Sequence, residues 1–129
     1  MTNKDFKHPI SGIDENGHPY SCGGMDWNGP TGQDYDLLTC LPNEEQDIVL
    51  AWIKDNIMPR KTPNYMHTSY GIKHRLQWET GIYMTNNMFK DAMLICGFSP
   101  VDTHELNWRY CISEKSPVFK RRKHSYRRT

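Results

Sequence analysis

Residues 66–113 read MHTSYGIKHRLQWETGIYMTNNMFKDAMLICGFSPVDTHELNWRYCIS, and the punctuation of this stretch decides the fold. Thr68 or Ser69 can cap a helix that runs to about Trp78. In it Tyr70, Ile72, Leu76 and Trp78 supply apolar bulk, while Lys73, His74, Arg75 and Gln77 face outward. Glu79-Thr80-Gly81 breaks that helix, and Ile82-Tyr83-Met84 is a short extended link. Thr85 then caps a helix over 86–96, stopped by Gly97 where left-handed backbone is favoured. Its expected buried face is Met88, Phe89, Ala92, Met93, Ile95 and Cys96, and its outer face Asn86, Asn87, Lys90 and Asp91. Phe98–Val101 and Leu106–Ile112 read as two strands around a turn at 102–105. The second alternates Trp108, Tyr110 and Ile112 with Asn107, Arg109 and Cys111.

Upstream, Asn43 is the expected N-cap of another helix, with Glu44 and Glu45 in the first turn, where the helix dipole favours acids. Ile48, Val49, Trp52, Ile53 and Ile57 give it one apolar stripe, and Pro59 ends it. Residues 60–64 read as a loop. The order helix, helix, turn, helix, hairpin predicts an α+β fold over 43–113. It is that of a winged helix-turn-helix, three helices plus a C-terminal β-hairpin.

Residues 1–42 are rich in Gly, Pro, Asn and Asp, with no sustained helical or strand period, and read as an irregular acidic arm with one hairpin at Asn16-Gly17. Tyr20, Met25, Trp27, Tyr35, Leu37 and Leu38 are apolar enough to dock part of it on the body or on a partner. Residues 114–129 form a basic tail, expected to be disordered when free.

The chain has 129 residues, which fits one domain. Hydrophobic residues make up only 36%, so part of the chain is expected outside the core. The longest apolar run, Ala92–Cys96, falls far short of a membrane span. With no apolar leader after Met1, and with Cys22, Cys40, Cys96 and Cys111 too irregularly spaced for a disulfide scaffold, a cytoplasmic protein with reduced thiols is expected.

The net charge of +1 conceals a polarity. Residues 1–58 carry ten acids against three bases, whereas 59–129 carry thirteen bases against five acids. The basic half suits a polyanion. The acidic stretch would repel one or imitate one.

No nucleophile elbow, phosphate loop, zinc-protease helix or paired-Asp metal motif is present, so neither an enzyme, a cofactor nor a small-molecule substrate is expected. Asp34 and Asp36 around Tyr35 read as solvent-facing rather than as a cation site. His18, Cys22 and Cys40 are ligand types for zinc, but no C-x2-C pair accompanies them, and buried free cysteines with no bound metal are the better reading. Nucleic acid, DNA first, is the best-supported partner. Asn86, Asn87 and Lys90 stand where a recognition helix reaches base edges, and Thr85 with the helix N-terminus suits a phosphate. Lys73, His74, Arg75 and Arg109 would clamp the flanking backbone, and Lys120, Arg121, Arg122 and Lys123 would add a salt-sensitive attraction. Against this, one Lys beside Asp91 is thin for a DNA reader, Asn86 and Asn87 suit local capping, and winged helices also bind proteins.

The runs Ser69-Tyr70-Gly71-Ile72-Lys73-His74, Thr80-Gly81-Ile82-Tyr83-Met84-Thr85-Asn86, Phe89-Lys90-Asp91-Ala92-Met93-Leu94 and Leu106-Asn107-Trp108-Arg109 carry a family resemblance. Over roughly 35–117 the chain resembles small proteins of phages and mobile elements of Gram-positive bacteria. The resemblance implies a phage or mobile-element protein in the bacterial host cytoplasm, possessing no catalytic residues to carry over. Small phage proteins of this size include anti-CRISPR inhibitors. The expected function is thus nucleic-acid binding. The alternative is inhibition of a host defence nuclease, such as a CRISPR effector, whose basic channel would receive Asp26, Asp34, Asp36, Glu44 and Glu45. A structural protein of a phage particle is a third reading.

Overall fold

The computed structural model describes residues 11–26 and 29–121, with side chains described at 11–21 and 33–121. Among the described residues, two small antiparallel sheets and four helices make an α+β fold. The first sheet is β1 (Ser11–Ile13), β2 (Pro19–Asp26) and β3 (Gly29–Asp34), in that order. The hairpin expected at Asn16-Gly17 is present, but as part of a three-stranded sheet rather than of an irregular arm. The β1–β2 turn lies at Asn16-Gly17, where the Asp14 carboxylate accepts from the backbone N–H groups of Asn16 and His18 and Gly17 takes φ 83°.

A 3-10 turn at Leu38–Cys40 leads into α1 (Asn43–Asn56). Pro42, not Asn43, stands at the N-cap position, and no side chain caps the helix, although Glu44 and Glu45 occupy the first turn. Val49, Trp52 and Ile53 are buried, but Ile48 is exposed, so the apolar stripe is narrower than expected. The expected loop after Pro59 is strand β4 (Pro59–Asn64), antiparallel to β5 (Tyr110–Ile112). Prolines at 59 and 63 are tolerated because β4 has β5 on one side alone. The expected hairpin shrinks to β5 and one isolated bridge, Pro100 to Tyr110. The chain between them is held instead by local turns and by the reciprocal pair Ser69 N–H to Trp108 carbonyl (2.7 Å) and Trp108 N–H to Ser69 Oγ (3.0 Å).

Helices α2 (Ser69–Thr80) and α3 (Asn86–Ile95) have the expected caps. The Thr68 hydroxyl accepts from Gly71 N–H, and that of Thr85 from Met88 N–H. Gly81 ends α2 in the left-handed region at φ 78°. The core joins Val49, Trp52, Ile53 and Ile57 to Ile72, Leu76, Met84, Phe89, Met93, Trp108, Tyr110 and Ile112. Ile95, expected inside, is exposed. The tail begins with a short helix, α4 (Pro117–Lys120), whose Val118 is buried. Among the described residues no helix is long and apolar enough to cross a membrane.

Candidate nucleic-acid interface

The outer face of α3 is not open. Asn87 and Lys90, expected to reach base edges, are both 0% exposed, and Asp91 is buried as well. The first sheet covers Asn87 and Lys90, and the 3-10 turn at Leu38–Cys40 covers Asp91. Asn87 Nδ2 donates to the carbonyls of Pro19 and Asp36, each at 2.8 Å, while its Oδ1 accepts from Ser21 Oγ at 2.9 Å. Lys90 Nζ donates to Ser11 Oγ at 2.8 Å and Ser21 Oγ at 2.9 Å and lies 4.7 Å from the Trp108 ring centroid. Burial lowers its pKa to about 8, against the upward pull of Asp34. Asp91 accepts from Leu38 N–H at 2.8 Å.

The N-terminus of α3 is occupied from within the chain. Asp34 accepts from the Thr85 hydroxyl and from Asn87 N–H, both at 3.2 Å. A carboxylate therefore takes the position expected for a phosphate. Asn86 is also engaged, accepting from Ser69 Oγ at 2.9 Å and donating to Leu106 carbonyl at 3.2 Å and Asn107 Oδ1 at 3.0 Å. The expected reading set of Thr85, Asn86, Asn87 and Lys90 is thus a structural joint in this arrangement. Its polar residue types were visible in the sequence, but the sheet residues that satisfy Thr85, Asn87 and Lys90 come from more than fifty residues upstream, where the hairpin turn at Asn16-Gly17 was the one signal.

The face of α2 is different. Tyr70 and Trp78, expected as core bulk, are 50% and 49% exposed, and Tyr83 in the following link is 71% exposed. Lys73, expected outside, is folded down between rings: its Nζ lies 5.2 Å from the Tyr70 centroid and 5.8 Å from that of Tyr83, and donates to Gln77 Oε1 at 2.8 Å. His74 is exposed and meets the Tyr70 ring edge-on at 4.4 Å. His74, Gln77 and Trp78 line a shallow concavity of about 300 Å³. Burial lowers the Lys73 pKa; burial and then the Lys73 charge lower that of His74.

Arg75 turns away, donating to Val118 carbonyl at 2.9 Å above the Phe119 ring. Arg109 lies over Tyr65 and 3.4 Å from the Glu105 carboxylate. Lys120 is exposed, and Arg121 makes a two-pronged contact with Glu79, both bonds at 2.8 Å. Burial pushes the Glu79 pKa up, but hydrogen bonds from Arg121 and Trp52 outweigh it and hold the carboxyl below its ordinary range. Arg122 and Lys123 lie outside the described residues.

In the acidic segment, Asp36, Glu44 and the capping Asp34 are described, Glu45 is half-buried, and the Asp26 side chain lies outside the described set. Among the described residues no three His, Cys, Asp or Glu side chains come together as a metal site; the Cys22 side chain is not among them. No family model matches the chain, and neither a curated protein nor a solved structure shows significant similarity to it.

Proposed function

We propose that the chain is a nucleic-acid-binding winged helix-turn-helix protein of mobile-element type, with its contact surface on the outer face of α2 rather than on α3. The element order supports the winged-helix reading. A strand between α1 and α2 pairs with the strand that follows α3, and Tyr110 sits between Asn64 on one side and Pro100 on the other.

The observation that carries the functional reading is the company of exposed rings along α2, with a buried Lys73 beneath them. Tyr70, His74, Trp78 and Tyr83 are open, Lys73 lies among them, and the one acid between Ser69 and Lys90, Glu79, is neutralised by Arg121. A polyanion approaching this face meets no uncompensated carboxylate until the Asp34 edge. Fluorescence anisotropy of labelled DNA across a salt series tests the reading. Binding that weakens steeply as salt rises is expected, and no binding even at low salt would overturn it.

A second reading, inhibition of a host nuclease, is favoured by one observation. The acidic sheet already places a carboxylate where nucleic acid would place a phosphate, on α3 of the same chain. A partner retained from nuclease-treated host lysate by the native chain, and lost with the exposed Asp36→Lys and Glu44→Lys changes, would select that reading.

A further inference from the structure

We propose that the cleft between the first sheet and the starts of α2 and α3 is a binding site for an arginine side chain presented by a peptide segment of a partner protein. The inference goes beyond both readings above, and its test is independent of them. The cleft holds about 220 Å³ and is lined by Ser21, Asp34, Tyr70, Asn86, Leu106 and Asn107. That volume is below the roughly 300–1,000 Å³ of a site for a cofactor or drug-sized molecule, and it suits a single long side chain.

What the lining groups have left to offer decides the ligand. Asn86 is committed within the chain: its Oδ1 accepts from Ser69 Oγ, and its Nδ2 donates to Leu106 carbonyl and Asn107 Oδ1. Ser21 is committed as well, donating to Asn87 and accepting from Lys90. Asp34 keeps more in hand. Its half-buried carboxylate accepts three bonds of 3.2 Å, from the Thr85 hydroxyl and the backbone N–H groups of Asp36 and Asn87, all of them neutral donors. Lys90 feels that charge from beneath the sheet, but its own bonds go to Ser11 and Ser21. Among the described residues Asp34 makes no ion pair, so the cleft selects a cation. Two features favour guanidinium over ammonium. Its planar fork can take both oxygens of one carboxylate, as Arg121 does with Glu79, and it is more weakly hydrated on entering a cleft walled by Tyr70 and Leu106. Tyr70 already holds Lys73 against its ring, so it serves here as the wall along which the aliphatic stem lies. The exposed Asp36 carboxylate beside Asp34 repels the α-carboxylate of a free amino acid, which points to an arginine within a peptide chain.

The test follows backbone amide shifts of the full-length protein by NMR as acetyl-Gly-Arg-Gly-amide is added, alongside the lysine and citrulline versions of the same peptide and free arginine. The arginine peptide is expected to give saturable shifts at Asp34, Tyr70, Asn86, Leu106 and Asn107, and to bind roughly fivefold more tightly than the lysine peptide. The citrulline peptide, alike in shape but neutral, should not saturate, and free arginine should bind more weakly than the arginine peptide. Asp34→Asn, which keeps an acceptor for Thr85 and Asn87, is expected to weaken the arginine peptide roughly tenfold. Tyr70→Ala should weaken it roughly threefold, and Tyr70→Phe should leave it unchanged. Unchanged circular dichroism is the folding control, and Tyr70→Ala, at a half-exposed position, decides the matter if Asp34→Asn unfolds. The site is refuted if no shift saturates, if the citrulline peptide binds as well as the arginine one, or if the folded variants bind normally. Tighter binding of free arginine than of the peptide would also overturn it, by making the cleft a small-molecule site.

Discussion

Lys90 is the residue on which the arrangement turns, since a fully covered ammonium whose hydrogen bonds go to two serine hydroxyls is costly to keep charged. Its folded pKa is about 8, against 10.5 in the unfolded chain. The unfolded chain thus binds more protons between these values, so stability should rise with pH across that window and be lost again as pH falls through 8. The gain corresponds to about 3 kcal/mol over the full window at roughly 1.4 kcal/mol per pH unit. Burial pushes the Tyr110 phenol the other way, so its contribution is lost only above the ordinary tyrosine range of about 10. Thermal melts from pH 7.5 to 9 should therefore show a rising Tm in the native chain and a shallower rise in Lys90→Met, where the lowered Lys73 pKa still contributes in the same direction. Asn87 is the other fully buried polar residue of the joint. Asn87→Ala strands the carbonyls of Pro19 and Asp36 and the Ser21 hydroxyl, and urea unfolding should register a loss of about 3 kcal/mol.

At the level of elements, caps and breakers carry most of the local information. Thr85 does two jobs, capping α3 and donating to Asp34, so Thr85→Ala should cost about 1–2 kcal/mol in a denaturation curve, more than Thr68→Ala, which removes a cap bond alone. Thr68, Thr85, Gly81 and Pro59 made α1, α2 and α3 legible to within a few residues, because each acts on the backbone next to it. β4 was illegible because two prolines and three exposed polar residues hide any alternation; its partner β5 is more than forty residues away. Of the first sheet only the turn of the β1–β2 hairpin at Asn16-Gly17 was legible, for a related reason. Gly- and Pro-rich strands show no hydrophobic period, and the described inward positions Ser11, Gly12, Pro19 and Ser21 are small or polar. That omission propagated to the site. Without a covering sheet and 3-10 turn, Asn87, Lys90 and Asp91 had to read as solvent-facing, and Tyr70 and Trp78, by the same apolar logic, as core.

Over the whole molecule, the polarity of charge acquires a spatial meaning. The acidic segment folds back onto α3 and meets its N-terminal dipole and Lys90, while Tyr70, Trp78 and Tyr83 along α2 are exposed. The protein thus satisfies one potential anion site, the N-terminus of α3, from within its own chain. The central claim is that nucleic acid meets α2 and not α3. Backbone amide chemical shifts followed by NMR as oligothymidylate is added to the full-length protein test this directly. The account predicts shifts concentrated at residues 69–83, with 85–91 unmoved beneath the sheet; shifts centred on Asn86, Asn87 and Lys90 would contradict it.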